Sequence, residues 1–112
     1  MVHTIPFFHQ KDQEWEVIDE HVKRQIVGYD ETMMMVNVHF KTGGIGPIHN
    51  HVHTQSTYIA EGQFEVTIDG ETKLLKKGDS FFISSNVKHG VKCVEEGMLV
   101  DVFSPMREDF IK

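Results

Sequence analysis

Between residues 49 and 55 the chain reads His-Asn-His-Val-His-Thr-Gln, and a further histidine stands at 89. On an extended strand alternate residues share a face, so His49, His51, His53 and Gln55 can all point one way. Imidazoles brought together repel one another when charged. When neutral, as they can be near pH 7, they offer lone pairs to a divalent cation. The Gln55 carboxamide oxygen would add an uncharged ligand, and another must come from elsewhere in the chain. A histidine-rich surface loop that holds no ion is the plain alternative. The remaining histidines, His3, His9, His21 and His39, lack a matching spacing and read as surface or packing residues. His39 is the one to watch, because it lies on the strand leading into the cluster.

A second group lies near the C-terminus, in Leu99-Val100-Asp101-Val102-Phe103-Ser104-Pro105-Met106-Arg107. Alternation gives Asp101 and Phe103 one strand face and Val100 and Val102 the other. Either the valines fill the interior and Asp101 meets water, or a carboxylate and an aromatic ring enter a cavity; the pattern alone favours the first. Cys93 follows His89 by four residues on one strand, with no second thiol or obvious base nearby, so it reads as buried packing. The Met33-Met34-Met35 run reads as strand filling, since alternation turns Met34 away from its neighbours.

The elements that must position these groups are strands. No glycine precedes Gly28; they then stand at 43, 44, 46, 62, 70, 78, 90 and 97, at the spacing of short strands and turns in a sandwich or barrel. Strands are predicted over 22–27, 33–40, 64–68, 71–75, 80–83, 87–94 and 98–103. Asp69-Gly70 forms a type I′ hairpin turn, and Glu95-Glu96-Gly97 joins the last two strands. Residues 106–111 read as a terminal turn after Pro105. Residues 1–32 are an arm plus a first strand, with Trp15 packed in the arm, and 33–112 are the rest of one domain.

Composition narrows the partners. A chain of 112 residues is a single-domain length. A net charge of −6 argues against nucleic acid and anionic membrane surfaces. One cysteine excludes an intrachain disulfide and fits a reducing compartment. No apolar run approaches the roughly 20 residues that span a bilayer. The start, Met1-Val2-His3-Thr4, lacks the basic and apolar segments of a secretory signal, so a cytoplasmic protein is expected.

Two coupled spacings carry a resemblance. Gly43, His49, His51, Gln55 and Gly62 resemble the first cupin motif, with Gln in place of its usual Glu. Gly78, Ser84, Asn86 and His89 resemble the second, with Ser and Asn replacing Pro and Gly, and Cys93 its usual Asn. The resemblance implies an all-β fold, a small single-domain cupin with a jelly-roll barrel, holding one metal on His49, His51, Gln55 and His89. It also implies a bend after His51, which leaves His53 beside the site in the loop. Three imidazoles and one amide oxygen form a neutral shell that suits Zn, Ni, Fe, Mn or Co without choosing among them.

From about residue 33 onward the likeness narrows. Val38-His39-Phe40, Tyr58-Ile59-Ala60-Glu61-Gly62 and the run from Asp101 to Phe110 look like the KdgF group of pectin-degradation cupins. That resemblance implies conversion of cyclic 4,5-unsaturated uronates from pectin or alginate to the linear keto form, with Asp101, Phe103 and Arg107 around the sugar acid. Because one fold hosts many activities, a cupin dioxygenase and a non-catalytic sugar-acid or metal-binding cupin are competing readings. Dependence on molecular oxygen would mark the first, and binding without turnover the second. By analogy with small cupins a homodimer is expected, with the N-terminal arm as an edge partner.

Overall fold

A computed structural model of the chain describes residues 6–111; His3 and the Met1–Thr4 start lie outside them. Eight strands form one antiparallel sheet: β1 (Glu16–Val17), β2 (Val22–Tyr29), β3 (Met34–Phe40), β4 (Ile45–His49), β5 (Thr54–Ile68), β6 (Glu71–Lys76), β7 (Ser80–Ile83) and β8 (His89–Ser104). Their hydrogen-bonded order is β1-β2-β3-β8-β5-β6, with β4 added to β8 and β7 to β5. Beyond the strands, the regular structure among the described residues is one 3-10 turn at Gln10–Asp12 and another at Glu108–Phe110, the latter within the predicted terminal turn.

β5 and β8 run the length of the barrel as its two central staves, paired from Thr54↔Ser104 to Ile68↔His89. Each changes partner partway. The first part of β5 pairs with β7 and the second with β6, while β8 pairs first with β4 and then with β3. The sequence reading divided β8 into two strands at Glu95-Glu96-Gly97, and that is corrected: the chain stays extended through these residues. The β5–β8 register slips near Ile59, Glu61 and Gln63 instead of turning back. Such bulges bend a strand without ending it. Gly62 and Gly97 make the bend possible: Gly62 has φ +84°, and a Cβ on Gly97 would collide with the Glu61 carbonyl. These glycines mark a barrel corner, whereas Asp69 and Gly70, both at positive φ, form the predicted hairpin turn between β5 and β6.

Alternation sets the interior. Met34 is fully buried while Met33 and Met35 face outward, as the pattern requires. The larger apolar cluster joins Phe40, Ile59, Phe64, Phe81, Ile83 and Leu99 with buried Cys93; Met34, Val36 and Phe103 form a smaller one. Trp15 is half-buried, its ring edge toward His39 and the Lys23 ammonium 4.6 Å from its centroid. Both clusters pack against the strands that carry the histidines and Asp101, so the site stands on a filled floor.

Candidate metal centre

The histidine cluster is assembled by a bend, not by alternation along one strand. His49 ends β4, and after His51 the chain bends at Val52 and His53 before β5 begins at Thr54, which brings in Gln55. His89 opens β8 opposite His49 in register. One ring nitrogen from each of His49, His51 and His89 lies within 4.8 Å of the other two.

The second nitrogen of each ring is tied to the backbone. His49 Nδ1 donates to the Pro47 carbonyl at 2.8 Å, His51 Nδ1 to His53 at 2.9 Å, and His89 Nδ1 to Val87 at 2.9 Å. A carbonyl only accepts, so each Nδ1 carries a proton, and in the neutral tautomer Nε2 is the atom that presents a lone pair. Outer hydrogen bonds of this kind set the tautomer and ring angle of metal-binding histidines. Burial lowers the His51 and His89 pKa values, and nearby Arg107 lowers both further, which favours the neutral form of these two rings.

Gln55 completes the set. Its Nε2 donates to Thr57 Oγ1 at 2.9 Å and to Asp101 Oδ1 at 3.3 Å, which fixes the amide so that Oε1 lies 3.0 Å from His51 Nε2. In the neutral ring, with Nδ1 the donor, that contact sets one lone pair against another. A cation bound by both atoms would resolve the repulsion, so the residues present fit a divalent metal.

Asp101 and Phe103 face inward and Val100 and Val102 outward, reversing the arrangement that the valine pattern favoured. The reason is register: Asp101 lies opposite Thr57, whose hydroxyl donates to Oδ1 at 2.6 Å and satisfies an inward carboxylate. Burial pushes the Asp101 carboxyl up to about 6, against the opposing pull of Thr57, Arg107 and Gln55.

A cavity of about 250 Å³ joins these groups, lined by His49, Gln55, His89, Asp101, Phe103 and Arg107 among others. Arg107 enters from the C-terminal tail. Its Nε and Nη2 donate to Asp109 at 3.0 and 2.8 Å, and its guanidinium carbon lies 4.2 Å from the Phe110 ring centroid and 5.0 Å from that of Phe103. The pair with Asp109 occupies one edge of the guanidinium fork and leaves the other for a ligand.

His53 lies beside the cluster, its ring 5.3 Å from His51 and 6.4 Å from Phe103, and its buried Nδ1 has no partner. His39 is on the outer surface, 3.2 Å from Glu96. Sequence reasoning missed Thr57, which bonds Gln55 and Asp101, and the presence of Arg24 and Phe110 in the cavity lining. Thr57 shares the inward face of β5 with Gln55, and Arg24 stands between Val22 and Ile26 on one face of β2, so alternation held the signal for both.

Comparison with known proteins agrees with this geometry. A cupin domain family model matches residues 36–103. The pectin degradation protein KdgF of Dickeya dadantii is 44% identical over 107 residues, covering 94% of this chain and 97% of that protein. The structure of KdgF from a Halomonas species superposes with a TM-score of 0.92 at 34% identity, covering 96% of this chain and 100% of the other. An RmlC-like cupin from Shewanella frigidimarina reaches 0.94 at 42% identity, over 96% and 97%. The motif spacings, the inward donor set and this level of identity lead to one conclusion: the chain belongs to the cupin family, within its KdgF group.

Proposed function

We propose that this protein is a metal-dependent enzyme that opens the ring of 4,5-unsaturated uronates released from pectin or alginate, giving the linear keto form. The observation that carries the reading is a carboxylate and a neutral metal-donor set on one small cavity, with Asp101 joined to Gln55 through Thr57. The likeness to proteins of pectin degradation supports the choice of substrate.

The metal ligands are His49, His51, Gln55 and His89. A bound divalent ion, Zn, Ni, Fe, Mn or Co, supplies Lewis-acid polarisation of the sugar's oxygens. The chain's own groups supply the rest. Asp101, as carboxylate, takes the proton of the anomeric hydroxyl as the bond from C1 to the ring oxygen breaks and C1 becomes an aldehyde. The electron pair leaves on the ring oxygen as an enolate, and C4 takes the proton back from Asp101, giving a C5 ketone and a CH2 at C4. The proton moves from O1 to C4 and nothing else is consumed. A carboxyl near 6 suits a group that must accept and return a proton. Arg107 holds the substrate carboxylate on its uncommitted edge, and Phe103 forms the apolar wall against which the sugar ring lies.

The working protein is a cytoplasmic homodimer of one-domain subunits, in which residues 1–32 contribute the arm and first strand and 33–112 the remainder. No described helix is long and apolar enough to cross a membrane. Product analysis tests the reaction: proton NMR in D2O of unsaturated galacturonate incubated with the metal-loaded protein. The expected result is faster loss of the C4 vinyl proton signal than in buffer, with deuterium entering C4. Binding with no change in rate would replace the enzyme by a sugar-acid binding module.

A further inference from the structure

β2 sends Val22, Arg24 and Ile26 toward the interior, opposite Phe40, Val38 and Val36 of β3. An arginine between two apolar residues on an inward face carries a desolvation cost that a leucine or methionine would avoid at equal volume. Arg24 nevertheless lies at the cavity wall with its side chain 17% exposed; that of Arg107 is 11% exposed.

Its contacts parallel those of Arg107. Arg24 Nε donates to Glu16 Oε1 at 3.0 Å, and the guanidinium carbon lies 3.7 Å from the Phe110 centroid. The same Phe110 ring packs against Arg107 at 4.2 Å. One aromatic ring thus bridges two guanidiniums from opposite ends of the chain, each anchored to one acidic side chain and each lining the same cavity. Glu16 accepts the Nε–H, and the guanidinium lies in the cavity lining, where its Nη groups can meet an acceptor on a bound ligand. A latch for Phe110 alone would need only the flat face of the guanidinium, and a stability pair with Glu16 would be as good in water.

We propose that Arg24 is a second ligand-reading residue, which with Arg107 makes a two-guanidinium wall that selects the anionic form of a single sugar acid. This rests on the sugar-acid reading of the site and deepens it. The small cavity suits one sugar ring, so both arginines act on one ligand, and the carboxylate is the group that two planar forks recognise.

The test is calorimetric titration of the metal-loaded protein with galacturonate and with its uncharged methyl ester, at equal metal content in every variant. The wild type is expected to prefer the acid by about 10- to 100-fold, the range of hydrogen bonds to a charged group. Arg24→Gln reduces acid binding by about tenfold, leaves the ester nearly unchanged, and Arg24→Lys restores part of the loss. Arg24→Met, apolar at the same inward position, keeps the melting temperature and loses the preference. Phe110→Leu removes the bridging ring and keeps most of the preference. The inference is overturned if the wild type does not discriminate, if Arg24→Gln weakens both ligands equally or neither, or if Phe110→Leu alone reproduces the loss. It and the proposed reaction fail separately. Wild-type protein that binds the acid through Arg24 without opening the unsaturated sugar removes the reaction only, and ring opening with an undiminished acid preference in Arg24→Gln removes this inference only.

Discussion

The two sides of the cavity are built by different means. On the metal side, each histidine is held by a carbonyl two residues away: Pro47 for His49, His53 for His51 and Val87 for His89. On the arginine side, Arg107 and Arg24 are held by the Phe110 ring; Asp101, which borders the donor Gln55, is held by Thr57, 44 positions distant. Short-range backbone bonds orient the three imidazoles, while Gln55 is held by Thr57 and the distant Asp101. Long-range side-chain contacts place charge where the barrel has closed. The difference teaches that the angle of each imidazole is set locally, whereas the meeting of the donors and the placing of charge opposite a ligand depend on the closed barrel.

Breaking the metal side has the largest effect. His89→Ala removes one of three converging imidazoles, and both metal content, by elemental analysis, and ring-opening rate are expected to fall to background. On the other side Arg107→Gln should leave metal content intact, raise KM by about 10- to 100-fold and change kcat less, because it removes charged hydrogen bonds to bound substrate. Retained metal with a raised KM is the signature that separates the two sides, and metal loss in Arg107→Gln would erase the distinction.

Asp101 links them, and its effect reads out in stability. Its folded carboxyl titrates near 6 against an ordinary 3.8, so between those values the folded state binds more protons than the unfolded. The contribution of this group to the stability of the metal-free protein therefore falls as pH rises through that window, by about 3 kcal/mol. In Asp101→Asn that slope should vanish, with no lower melting temperature at pH 7.5; a steeper slope would show that the carboxylate stabilises the fold. The smallest change is Thr57→Val, which removes the hydroxyl between Gln55 and Asp101 and is expected to lower metal affinity by about tenfold, by competition with a chelating dye, while the fold persists.

The same division explains what could be read in the sequence. The barrel class, the Asp69-Gly70 turn and strands such as Ser80–Ile83 followed from local pattern, because turn chemistry and alternation are local. The donors His49, His51 and His89 were legible through their spacing. The direction of Asp101 was not, because the neighbouring valines offered the better apolar face and the choice rested on Thr57 across the sheet. Gly97 misled for a related reason. A glycine after two glutamates resembles a turn, and only the close approach of Glu61 shows that it permits a bend within one strand. Arg24 escaped because a single arginine in a polar-looking strand has no motif, and its partner Phe110 enters from the far end of the chain.

The central claim is that donor set and carboxylate act on one substrate in one cavity. The most direct test follows the ultraviolet absorbance of the conjugated enol ether of unsaturated galacturonate with wild-type protein, with Asp101→Asn at matched metal content, and with buffer alone. The account predicts that the wild type exceeds the buffer rate and that Asp101→Asn falls by about 10²- to 10⁴-fold in its catalysed rate, the usual contribution of a positioned acid and base. A wild-type rate equal to buffer, or an Asp101→Asn rate equal to wild type, would contradict it.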